Sequence, residues 1–230
     1  METNVDQVQQ NGWVDLHRME VHLNEEERAA LGELNTPAKL QVFLDTLAYR
    51  PEYSNLTCVE VMRQRKAHCL DGGIFAAAVL RRMGYPPLLV DIFPDPGMDD
   101  DHVLAIYKVR GRYGCVAKSN FVGLRMREPV YSTLRELVMS YFEQFYNINK
   151  VKTLRTYTMP FALSRYDRQH WETDGATVDK IEKALLARKR FPLISAEMAA
   201  ALSPVDDLTY QAGLLVANMD GVYKPKAQLR

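Results

Sequence analysis

Residues 69–83 constrain this chain more than any other stretch, because they leave a helix almost no face on which to be polar. Leu70, Ile74, Ala77, Ala78, Val79 and Leu80 spread an apolar surface over small side chains, and a helix that is apolar nearly all round must be enclosed by other elements. Its end is marked as firmly. Gly84 suits the position just after a helix, and Tyr85-Pro86-Pro87 cannot continue one. A chain of 230 residues is long enough to enclose such a helix without disulfide or metal staples.

The enclosing elements are read from local signals. Asn24, followed by the acidic residues 25–27, starts a helix with carboxylates at the positive end of its dipole, and Ala29, Ala30, Leu31 and Leu34 follow. Thr36-Pro37 opens a second helix, whose Leu40, Phe43, Leu44 and Leu47 share a face. Residues 57–65 are compatible with a helix. Beyond the buried helix the signals become those of strands: 88–93 is a short apolar run, 94–101 is a loop of prolines and aspartates, and 102–109 with 113–117 reads as a hairpin around Arg110-Gly111-Arg112. Helix followed by strands is an α+β grammar. Residues 132–145 recur apolar at helical spacing, 147–172 is aromatic and basic without a period, and 176–190, 195–202 and 204–218 read as short helices. The expected organisation is a flexible segment at 1–23, a core domain at 24–150 and a helical extension at 151–230. The extension could serve as a lid, as a separate module or as a surface for homo-oligomer formation.

Charge argues against one class of partner. The 29 Lys and Arg cancel 29 Asp and Glu, so no global field gathers nucleic acid or an anionic membrane. The neutrality joins unlike parts: residues 1–34 carry eight carboxylates against Arg18 and Arg28, and 150–190 carry ten cations against five anions, a pattern that solvated faces of opposite sign account for. Tyr157, Phe161, Tyr166 and Trp171 could stack on bases, but no nucleic-acid motif accompanies them. No apolar run reaches the roughly 18 residues of a membrane span. The opening METNVDQVQQNGW has neither a basic nor an apolar leader region, so the expected compartment is the cytoplasm.

Cys58, Cys69 and Cys115 have no CxxC spacing and make no disulfide framework. The five histidines show no metal-ligand spacing, so neither a metal nor another cofactor is expected. Cys58 and Cys115 read as small buried hydrophobes. Cys69 is different: it opens the buried helix, where unpaired N–H groups and the dipole favour a thiolate, with Lys66 and His68 beside it. His68 lies about 100° away around the helix and makes a poor base, whereas His102 begins a strand from which it could take the thiol proton. A third group should orient the imidazole. A hairpin loop at 110–112 sets His102 opposite Asn120, a loop at 109–111 sets it opposite Lys118, and a two-residue turn at Arg110-Gly111 sets it opposite Ser119. Only the amide and the hydroxyl can accept from an imidazole N–H, and Asn120 reaches further. Asp99-Asp100-Asp101 reads as a solvated loop rather than a cation site, and Asp71 as a first-turn helix stabiliser.

The passage AHCLDGGIFAAAVLRRMGYPPLLVDI, followed by DDDHVLAIYKVRGRYGCVAKSN, resembles the core of the transglutaminase-like superfamily, with its papain-like arrangement. In that family a cysteine opens a helix ending in glycine, a histidine opens a later strand, and a polar residue ends the next. The resemblance covers about residues 55–125. It implies an α+β fold in which the buried cysteine helix packs on an antiparallel sheet, with further helices at both ends, and it implies Cys69 as nucleophile, His102 as general base and Asn120 in the place of the family's aspartate. Two positions depart from the family pattern: no acidic residue stands at 118–120, and Leu70 replaces the aromatic residue that often follows the cysteine. The activity implied is attack of Cys69 on an amide of a peptide or protein substrate to form a thioester, resolved by water or an amine, as in a peptidase, amidase or acyl transferase. The Cys69 backbone N–H and the Gln64 amide are the candidate oxyanion donors. The alternative is a catalytically inactive domain of the same fold that binds a peptide or a partner protein in the former cleft.

Overall fold

Among the described residues, every α-helix after the short first one begins where a side chain satisfies the first free N–H groups. The computed structural model describes residues 18–52 and 54–225; the expected flexible segment at 1–23 lies outside it up to residue 17. From residue 18 the chain is packed: in α1 (Met19–His22) the Met19 side chain is buried and its backbone N–H donates to Glu172. Asn24 and Glu27 form a reciprocal capping box on α2 (Glu25–Gly32), and Thr36 caps α3 (Pro37–Thr46) with proline in its first turn. A short parallel pair, β1 (Ala48–Tyr49) with β2 (Lys66–Ala67), brackets α4 (Cys58–Gln64). The buried helix is α5 (Cys69–Arg82), and residues 70–80 are all buried. There follow β3 (Leu88–Pro94), β4 (His102–Val109), β5 (Arg112–Val116), β6 (Arg127–Tyr131), α6 (Leu134–Met139), β7 (Leu154–Thr158), β8 (Phe161–Ala162), α7 (Gly175–Leu186), β9 (Arg190–Pro192), α8 (Ala196–Ala200) and α9 (Asp207–Gly213).

The main sheet is antiparallel throughout, in the order β6-β5-β4-β3-β7-β9, with β8 also paired to β3. The class is α+β. Strand alternation divides the core in two. Leu89, Val103, Ala105 and Tyr107 belong to the core around α5, whereas Val90, Ile92, Leu104, Ile106 and Cys115 belong to the core with α6 on the opposite face. The expected division at residue 150 needs correction, because β7 and β9 extend the same sheet from β3, so the chain after 150 is not a helical extension. Tyr157, Phe161 and Trp171 are buried core rings, which removes the bases-stacking reading of that segment. Among the described residues no helix is long and apolar enough to cross a membrane.

Two local features place the amino end of α5 on this sheet. Gly72 and Gly73 let the helix lie directly on β4 and on the segment after β5: a β-carbon would stand 2.2 Å from Lys118 Cβ at Gly72 and 2.8 Å from Val103 Cγ1 at Gly73. The hairpin turn is the two-residue one. Arg110 and Gly111 both have positive φ, 49° and 79°, the conformation of a type I′ turn. Val109 pairs with Arg112 and Ala105 with Val116, and continuing this register sets His102 opposite Ser119, not Asn120.

Candidate functional site

The amino end of α5 is held by a buried carboxylate. Asp71, read from sequence only as a first-turn stabiliser, accepts from Leu56 N at 2.8 Å, His68 N at 3.2 Å and Arg50 Nη1 at 3.1 Å, tying the helix to the preceding loop. Arg50 is buried with it and also reaches Ser54 and Glu52. His68 is the N-cap: its Nδ1 accepts from Leu70 N and Asp71 N. Burial pushes its pKa down, so beside Cys69 it is a neutral cap rather than a cation.

Cys69 is half-buried and lines a cavity of about 90 Å³. Its Sγ lies 3.7 Å from the carbonyl oxygen of Asp101. Burial raises the thiol pKa well above its ordinary value, and the carboxylates of Asp101, Asp100 and Asp91 push the same way, with the Val103 backbone N–H opposing them. The first-turn N–H groups that favour a thiolate are outweighed by burial and then by the acidic surrounding, both of which favour the thiol.

The three residues expected to act together fall on two sides of the sheet. Val103 faces α5, so its neighbour His102 points to the opposite core, where Nε2 donates to the Leu124 carbonyl at 2.7 Å and the ring meets Tyr141 edge-on. Burial lowers the His102 pKa to about 4, so the ring is neutral. Asn120 does stand near it, both lining a second cavity of about 40 Å³ on that side. Its amide is occupied, however, accepting from Asn218 N and donating to Asn218 O, both at 2.8 Å. Asn218 in turn donates to the Tyr49 carbonyl, so Asn120 serves as a clamp for the carboxyl-terminal segment. Gln64 is exposed at the end of α4, and Arg65 turns the chain left-handed after it. It is absent from the lining of the Cys69 cavity. Thus neither the base, the orienting group nor the side-chain oxyanion donor is gathered at the sulfur.

What does surround Cys69 is a set of acids: Asp100 and Asp101, expected to be a solvated loop, and Asp91, for which no role was expected. Asp91 lies at the centre of β3, opposite Val103 on the α5 face, and is 1 % exposed. Among the described residues no N–H or hydroxyl group donates to either of its carboxyl oxygens, and the Asp101 carboxyl is the polar group beside it. The signal was present as a lone carboxylate inside the apolar run LLVDIF. The loop before β4 is also less solvated than expected: Asp99 accepts from Thr153 Oγ1 at 3.0 Å, and burial raises its pKa to about 6. Burial, then Asp100, raises Asp101 to about 6. Among the described residues no three His, Cys, Asp or Glu side chains are placed to hold a metal ion. No protein-family model matches the chain, and no curated protein matches it in sequence.

Proposed function

We propose that this chain is a catalytically silent domain of transglutaminase-like architecture that binds a peptide or protein segment at the amino end of α5. The observation that carries this reading is the orientation of His102: its ring lies in the core away from α5, committed to the Leu124 carbonyl, so it does not serve as a base for the Cys69 thiol. A nucleophilic cysteine needs an adjacent acceptor for its proton or a depressed pKa; Cys69 has carboxylates that raise it. Bringing His102 to the sulfur would require β4 to slip by one residue, which would exchange Val103, Ala105 and Tyr107 with Leu104 and Ile106 between the two cores. The cavity at Cys69 remains as the place where a ligand can sit.

The test is the rate of Cys69 alkylation by iodoacetamide as a function of pH, read at that residue by mass spectrometry. Modification should follow an ionisation above the free-thiol value of about 8.5. A thiolate formed well below that value, or a thioester trapped on Cys69 with a peptide substrate, would overturn the silent reading in favour of an amide-attacking enzyme using Cys69, His102 and Asn120.

A further inference from the structure

The Cys69 cavity carries an unmet requirement. Four carboxylates line it, Asp91 and Asp101 from the sheet side, Glu52 from the loop before α4 and Glu182 from α7, and Val103 and Leu185 supply apolar wall. Glu52 is partly answered by Arg50 and Glu182 by Asn55. Asp91 is answered only by its like: it is 1 % exposed, no N–H or hydroxyl group donates to either of its oxygens, and its one polar neighbour is the Asp101 carboxyl, with which it shares a proton. Arg190 is the nearby cation felt at Asp91, but it lies over the Phe93 ring and makes no bond to the carboxyl. A buried carboxyl without a donor is costly unless something outside the chain supplies one.

We propose that this cavity receives the basic side chain of a partner peptide, a lysine or arginine whose cationic head enters between Asp91 and Asp101 while its alkyl stem lies along Leu185 and Val103. The proposal rests on the peptide-binding reading and names its specificity. Its chemistry is complementary on both counts, because long basic side chains bury their methylenes against apolar surface and keep the charged end for polar partners. Burial and the neighbouring Asp101 carboxyl hold Asp91 well above the ordinary carboxylate range when the cavity is empty. A cation placed between two such carboxyls lets both ionise, so binding should release a proton.

Two measurements on the full chain test this. A peptide array is probed with the wild type and with Asp91→Asn; retained peptides should be enriched in Lys or Arg, and the variant should bind them about tenfold or more weakly, equivalent to about 1.4 kcal/mol. In parallel, n-butylammonium chloride and the matched neutral probe n-butanol are titrated by calorimetry in buffers of different ionisation enthalpy. The ammonium should bind wild type with a buffer-dependent heat that reports proton release, and n-butanol should not. Asp91→Asn keeps the shape of the side chain and is neutral, as the protonated Asp91 is in the empty cavity, so it should fold; if it does not, Glu182→Gln serves as the weakened variant. Peptides bound without basic enrichment, and equally by Asp91→Asn, would overturn this inference while leaving the binding reading. No peptide bound, with n-butylammonium still captured by wild type alone, would sustain the cavity's chemistry and overturn the peptide reading. Silence in both would overturn both.

Discussion

Gly72 separates the packing argument from simple helix propensity. In an unconstrained helix interior, replacing glycine by alanine stabilises by about 1 kcal/mol. Here the new methyl would fall 2.2 Å from Lys118 Cβ, 3.1 Å from its Cγ and 3.5 Å from its Cα. Carbon atoms in contact sit about 3.5–4.0 Å apart, so the helix and the segment just after β5 would have to part by more than an ångström. Neither side is free to move. Lys118 Nζ is held by the Leu44 and Leu47 carbonyls at 3.0 and 2.5 Å, and the adjoining Asp71 is tied to Arg50, Leu56 and His68. Overpacking of this kind costs about 1–3 kcal/mol, and a strained charge-assisted hydrogen bond at Lys118 adds about 1.5–3 kcal/mol. Set against the propensity gain, Gly72→Ala should lose roughly 2 kcal/mol or more, a fall in Tm of about 4–8 °C for a chain of this size. Gly32→Ala is the control: it meets nothing within 4 Å and should be neutral or stabilising by up to about 1 kcal/mol. Urea and thermal unfolding of both variants by circular dichroism would decide. Gly72→Ala melting at or above the wild type would refute the claim that α5 lies directly against the chain leaving β5 at this point.

Other perturbations have equally definite outcomes. Asp71→Ala leaves the buried Arg50 guanidinium short of its partner and two backbone donors unanswered, and should cost about 3–5 kcal/mol in urea unfolding; a loss below 1 kcal/mol would be inconsistent with its anchoring role. Gly111→Val places a branched side chain at φ 79° and should cost about 1–2 kcal/mol, whereas Arg110→Asn, which tolerates the left-handed region, should be neutral or slightly stabilising. The folded-state pKa of Asp99, about 6, lies above its ordinary value of 3.8, so the native state binds the extra proton between those limits. Its contribution is fully present below pH 3.8 and is lost as pH rises to about 6. Thermal unfolding of Asp99→Asn across that window should therefore lose less stability with rising pH than the wild type; parallel curves would contradict the shift.

Much of the architecture is legible because it is set by local chemistry. Asn24, Thr36-Pro37 and the glycine after α5 mark helix ends through bonds made within a few residues, and α2, α3 and α5 begin at or beside the expected positions. The strands after residue 120 were hidden for a physical reason. In β7, Leu154, Tyr157 and Thr158 are buried while Arg155 and Thr156 are only partly covered, so burial does not alternate and the period-two signal is lost. Such a strand owes its place to a partner far away in sequence, β3, and no local pattern encodes that pairing.

The site shows how a single turn residue governs chemistry at a distance. Cys69, His102 and Asn120 occur in the expected order, and Cys69 does open the buried helix. Side chains alternate strictly along a strand, however, so whether His102 meets Cys69 depends on which face β4 turns towards α5. That choice is made by the whole apolar set: Val103, Ala105 and Tyr107 enter the larger core, and the histidine follows its parity into the other one. The Arg110-Gly111 turn then transmits the same parity to β5, placing Lys118 against Gly72 and leaving Asn120 to clamp Asn218. The residue that does face Cys69 from the centre of the sheet is Asp91, whose odd number puts it with Leu89 and opposite Val103. An order of residue types along the chain is therefore compatible with two different sites, a cysteine with a base or a cysteine among acids, and one residue of strand register decides between them.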